Sequence, residues 1–115
     1  MRALPVNYND SPEAASRPFD AHREGFLFSE GAGAMVVEEL EHAIQRRASI
    51  YAEVIGHASS TDGYHMAAPD PEAAGPIRAM RWALENAEIS PEQVDYINAH
   101  GSSTPLNDEA ETHAS

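Results

Sequence analysis

Asn98-Ala99-His100-Gly101-Ser102-Ser103-Thr104-Pro105-Leu106-Asn107-Asp108 closes the apolar strand pattern of residues 94–99. A histidine, two serines and a threonine stand within five positions, in a stretch whose glycine and proline mark a sharp turn. Polar groups gathered where a strand ends are the usual position of ligand-handling residues in α/β folds. Taken alone, His100 reads as a core or capping histidine as readily as a functional one.

Upstream of the turn, strand and helix patterns alternate. Ser90-Pro91-Glu92-Gln93 has the spacing of a capped helical turn. A helix is predicted from about Gly75-Pro76, with proline in the first turn, where its missing N–H does least harm. Ile77, Met80, Leu84 and Ala87 form its apolar stripe, and Trp82 falls off that stripe. Residues 50–59, rich in Ile, Tyr and Val, predict a strand. Residues 38–47 predict a helix, with Leu40, Ala43, Ile44 and Arg47 on one face, acids early and Arg46 and Arg47 late. A further strand is predicted over 32–38, after Gly31 and Gly33. The first 25 residues read as loop, and Asp108 reads as the cap of a last helix over 109–113. The order β-α-β-α-β-(α) implies an α/β layered fold. Three strands and two good helices cannot cover both faces of such a sheet, so exposed apolar surface and open edges are expected.

Composition narrows the function. The 115-residue chain has a net charge of −12 and seven basic residues, which argues against a phosphate-binding surface for nucleic acid. No apolar run reaches the length of a membrane span and no signal peptide is apparent, so a cytoplasmic protein is expected. With no cysteine there is neither a disulfide framework nor a thiol nucleophile. Glu30-Gly31-Ala32-Gly33 precedes a strand instead of following one, unlike a dinucleotide fingerprint. The six histidines lack helical metal-ligand spacing, so no metal is expected. Ser102 and Ser103 sit too close to His100 in sequence, and outside any Gly-x-Ser-x-Gly elbow, to read as a hydrolase nucleophile.

Several segments, in order, resemble one family. These are Ser16-Arg17-Pro18-Phe19-Asp20 with Arg23-Glu24-Gly25-Phe26; Glu30-Gly31-Ala32-Gly33 with Glu38-Glu39-Leu40-Glu41-His42-Ala43; Tyr51-Ala52-Glu53; Tyr64-His65-Met66-Ala67-Ala68-Pro69-Asp70-Pro71; and Asp95-Tyr96-Ile97-Asn98-Ala99-His100-Gly101. Together they are similar to the β-ketoacyl-acyl-carrier-protein synthases, condensing enzymes of the thiolase superfamily. The Asn98-Ala99-His100-Gly101-Ser102-Ser103-Thr104 form resembles the discrete, long-chain fatty-acid type more than the modular polyketide type.

The resemblance implies a thiolase-like layered α-β-α fold, a mixed sheet with flanking helices, here incomplete. Residues 1–47 would close the N-terminal half and residues 48–115 open the C-terminal half. It implies decarboxylative Claisen condensation of malonyl-carrier protein with an acyl thioester held on the enzyme. His100 would be the first of two histidines whose ring N–H groups stabilise negative charge on the malonyl thioester oxygen, an effect worth about 3 kcal/mol per donor in a dry site. Ser102 and Thr104 would hydrogen-bond the pantetheine arm, and Glu111 would pair with a lysine near the active site. No resident cofactor is implied, because phosphopantetheine arrives on the acyl carrier protein. The implied partners are that carrier protein and, in the intact family, a second copy in a homodimer, with no nucleic acid and no membrane. The family's nucleophilic cysteine is expected upstream of this chain, its second histidine and lysine downstream. A central fragment, inactive alone, is therefore the leading expectation. A non-catalytic interaction module and a fragment of a polyketide ketosynthase are the alternatives.

Overall fold

The structure, a computed structural model, describes residues 3–115. Three α-helices organise it: α1 over Leu40–Gln45, α2 over Ala74–Ala87 and α3 over Pro105–Ala114. Short 3-10 turns lie at Pro12–Ala14 and Pro91–Gln93. At the second turn the Ser90 N–H donates to Gln93 Oε1 at 2.9 Å, the reciprocal half of the expected capping pattern.

The helix ends follow from backbone conformation. α1 covers only the middle of the expected 38–47 helix. Arg47 takes φ +56°, its N–H bonds back to Ile44 O at 3.0 Å, and the Ala48 N–H reaches Ala43 O at 2.9 Å. This paired closure ends the helix, so Arg47 lies beyond it and does not continue the apolar face. Glu38 lies before α1 and accepts from Arg46 Nε at 2.9 Å. α2 closes in the same way, with Glu88 at φ +55° and the Ile89 N–H on Leu84 O at 3.2 Å. Its start matches expectation, with Pro76 in the first turn and the Ile77 N–H on Ala73 O at 3.0 Å.

The expected mixed sheet does not form among the described residues. Residues 32–38, 50–59 and 94–99 make no backbone ladder with one another. Apolar alternation suits a segment to a sheet, but a strand exists only when a neighbour in register accepts its N–H groups. These three segments do not supply that neighbour to each other. The expected exposure of apolar surface is found: Met35, Val36, Tyr51, Val54 and Tyr96 are each more than 70% exposed.

Packing is thin. The buried apolar residues are alanines, Ala15, Ala43, Ala73 and Ala110, and the largest fully buried side chains are the polar Asp108 and Ser103. The radius of gyration is 17.9 Å, against about 13 Å for a compact domain of this length. Accessible surface is 9526 Å², against about 6100 Å² for a compact protein of this mass. What order there is centres on α2 packed against α3. Residues 50–59 lie along α2 through Gly56, where a Cβ would come within 2.5 Å of Ala83 O and 2.8 Å of Ala87 Cβ. The His57 N–H fixes the same contact by donating to Asn86 Oδ1 at 3.2 Å.

Candidate active site

The histidine turn is built by two left-handed residues. Gly101 has φ +53° and Ser103 has φ +67°. Glycine suits the first position, because a Cβ there would lie 3.3 Å from the Phe19 ring. Ser103 has no such freedom; it holds the conformation while fully buried. Thr104 returns to extended backbone and caps α3, accepting the Asn107 N–H at 3.3 Å, with Pro105 as the first helical residue. The last helix thus starts four residues earlier than the expected 109–113, and its cap is Thr104, not Asp108. Proline at the first helical position and a threonine before it were the signals available for this in the sequence.

α3 then brings Glu111 back over the turn. Its carboxylate accepts the His100 N–H at 2.7 Å, the Gly101 N–H at 2.7 Å and Asn107 Nδ2 at 2.9 Å. Charge-assisted bonds of that length fix the backbone on either side of the His100 carbonyl. The chain contains no lysine, so Glu111 has these amides as its partners here. With its backbone held, His100 leaves its imidazole exposed and without a hydrogen bond among the described residues. It stands at a shallow groove between α2 and α3, walled by Met80, Ile97 and Ala114.

Ser102 and Thr104 form the next edge, their hydroxyl oxygens 2.9 Å apart. Each also accepts a backbone N–H, Thr104's on Ser102 at 3.4 Å and Asn107's on Thr104 at 3.3 Å. Both hydroxyl protons are therefore available to donate, one across the pair and one outward. The structure brings His100, Ser102, Thr104 and Glu111 into one turn and its helix. That arrangement offers a free imidazole at residue 100 and a hydroxyl pair two and four residues on, with the backbone between tied by the Glu111 carboxylate. Among the described residues no group of three or more acidic, histidine or cysteine side chains could hold a metal ion.

The opposite edge of the turn faces inward, and sequence reasoning gave its Asp108 only a capping role. Asp108, 1% exposed, accepts the Phe19 N–H at 2.8 Å and the Ser103 N–H at 3.1 Å. Arg23 Nε lies 3.6 Å from the same carboxylate, and Arg23 Nη2 donates to Pro105 O at 3.1 Å. Ser103 Oγ accepts the Arg17 N–H at 3.0 Å. The 17–23 loop is itself tied by Arg17 to Asp20, with Nη2 to Oδ2 at 3.1 Å. The Arg17 guanidinium holds the Asp20 carboxyl below its usual range, and the His22 backbone N–H adds to that.

The chain is similar to known proteins along nearly its whole length. The family model for the beta-ketoacyl synthase C-terminal domain matches residues 51–115, and that for the N-terminal domain matches residues 2–43. The 3-oxoacyl-[acyl-carrier-protein] synthase 2 of Coxiella burnetii is 57% identical over 114 residues, covering 99% of this chain and 27% of that protein. Among solved structures, a type II polyketide-synthase acyl-carrier protein in complex with its ketosynthase bound to the hexaketide matches with a TM-score of 0.93 and 43% identity. It covers 98% of this chain and 28% of the matched one. A beta-ketoacyl synthase from Burkholderia phymatum matches with a TM-score of 0.92 and 44% identity, covering 98% of this chain and 27% of the other. The chain thus spans about a quarter of the length of these relatives. Both domain descriptions fall in order along nearly its whole length, and the path of its backbone follows the ketosynthases: the chain belongs to the beta-ketoacyl synthase family.

Proposed function

We propose that this chain carries the first histidine and the pantetheine-binding edge of a β-ketoacyl-acyl-carrier-protein synthase acting in fatty-acid elongation. The observation that carries the reading is the grip of Glu111 on the His100 and Gly101 amides, both at 2.7 Å. It fixes the backbone and leaves the imidazole free to aim a ring N–H at a substrate oxygen.

In this reading malonyl-carrier protein loses carbon dioxide, and negative charge develops on the thioester oxygen. A ring N–H of His100 stabilises that charge, together with a second histidine that this chain does not hold at a matching motif. The enolate carbon attacks an acyl thioester borne on a cysteine, the new carbon–carbon bond forms, and the cysteine thiolate leaves. The Ser102 and Thr104 hydroxyls hold the pantetheine arm through their outward proton. Ser102 retains the hydroxyl of the threonine more usual at that place. No resident cofactor is required, because the phosphopantetheine is part of the incoming carrier protein. The acyl carrier protein is the partner, a second synthase copy completes a homodimer, and the setting is cytoplasmic. The high identity to curated 3-oxoacyl synthases supports the fatty-acid pathway over the polyketide one.

The chain has no cysteine, so the isolated 115-residue polypeptide should neither form an acyl-enzyme nor condense. Grafting it in place of the matching stretch of a full-length relative tests the reading. The folded graft should condense acyl and malonyl groups at a rate near that of its parent. A folded graft that binds carrier protein but does not condense would overturn it.

A further inference from the structure

We infer that Ser103 is a positioning residue. It turns its hydroxyl away from the groove and, together with Asp108, bolts the His100 turn to the 17–20 loop. The inference rests on the proposed role of His100. Ser103 lies between two residues whose hydroxyls face each other, yet it shares none of their bonds.

Three observations converge on it. Ser103 is fully buried at φ +67°, a conformation that disfavours any residue with a Cβ. Its Oγ accepts the Arg17 N–H at 3.0 Å, across 86 positions of sequence. Its own N–H donates at 3.1 Å to Asp108, whose other oxygen accepts the Phe19 N–H at 2.8 Å. Two bonds from the 17–20 loop thus end on the inner edge of the turn whose outer edge carries His100, Ser102 and Thr104. Phe19 is also at positive φ, +61°, and its ring lies against Gly101. Backbone strain on both sides of one hydrogen-bonded joint is stable only where the surroundings over-determine it. A rotation of the turn that re-aims His100 must break the Arg17 and Phe19 bonds together, so the loop and the turn open as one unit.

Amide hydrogen exchange on the folded graft in the full-length relative tests this without any assay of activity. The Arg17, Phe19, Ser103, His100 and Gly101 amides should share one opening equilibrium and one denaturant dependence, distinct from α2. In S103A and in S103G, Arg17, His100 and Gly101 should exchange about tenfold faster, and the His100 imidazole ¹⁵N signals should shift. S103G relieves the strained φ without restoring the hydroxyl, so recovery in S103G alone would show that strain and not the bond matters, and would overturn the inference. It is also overturned if Arg17 and Phe19 open independently of the turn, if the effect stops at Arg17, or if all these amides are unprotected. An inactive graft beside a shared opening would refute the proposed function and leave the joint standing.

Discussion

At the scale of single residues, Glu111 and Gly101 hold the backbone at His100. In the grafted full-length relative, Glu111→Ala would leave the His100 and Gly101 amides without their acceptor, and should cost about 1–3 kcal/mol in urea titration. Glu111→Gln keeps one amide acceptor and should cost less. An equal loss in both variants would show that packing, not the amide grip, is what Glu111 provides. Gly101→Ala should destabilise by about 1–2 kcal/mol, because φ is +53° and the new Cβ would press on Phe19; an unchanged midpoint contradicts that. Sequence reading identified His100, Ser102, Thr104 and Glu111 as a group, and the structure brings them into one turn. It did not foresee what holds them. Asp108 read as a cap because an acid near a helix start usually is one. Its partners, the Phe19 and Ser103 amides, lie 89 and five positions away, and no local pattern announces a bond of the first kind. Glu111 read as a partner for a lysine. In this chain it takes backbone amides.

At the scale of elements, legibility followed how local the cause was. α2 was readable from Pro76, its apolar stripe and its capped neighbour, because a helix satisfies its own backbone. α1 came out shorter because Arg47 adopts a left-handed closure more typical of glycine. The three strand patterns were readable as patterns, but pairing belongs to a neighbour, and none of the three supplies it to another. Glu88 makes the α2 closure testable: in the grafted full-length relative, Glu88→Gly should raise the thermal midpoint by the equivalent of about 0.5–1 kcal/mol, since glycine takes positive φ without the Cβ penalty. A lowered midpoint would contradict the left-handed cap. The loop ahead of α2 carries a pH signature. Asp62 accepts the Asp70 N–H at 3.1 Å and the Tyr64 N–H at 3.2 Å, and these bonds, Asp70's first, hold its carboxyl below the usual 3.8. A carboxyl depressed in the folded state stabilises above its unfolded pKa and loses that contribution as pH falls through its folded value. Protection of the Asp70 and Tyr64 amides should therefore be constant above pH 3.8 and decline below it. In Asp62→Asn that decline should vanish; its persistence would assign the effect to another group.

At the scale of the whole molecule, buried alanines and two polar side chains do not make a core, and Met35, Tyr51 and Tyr96 face solvent. A surface this large and apolar should associate. The isolated chain is expected to run as oligomers in light-scattering chromatography and to bind a hydrophobic dye, whereas a sharp dye-free monomer would contradict the thin packing described. The family architecture explains the shape: the chain matches relatives roughly four times its length, and the backbone path is theirs even where the sheet is not formed. The most direct test of the account is the decarboxylation of malonyl-carrier protein by the grafted full-length relative, compared with its H100A variant. The account predicts that decarboxylation falls about 10²–10³-fold, while acyl transfer to the parent's cysteine persists. Decarboxylation unchanged by H100A in a folded graft would contradict it.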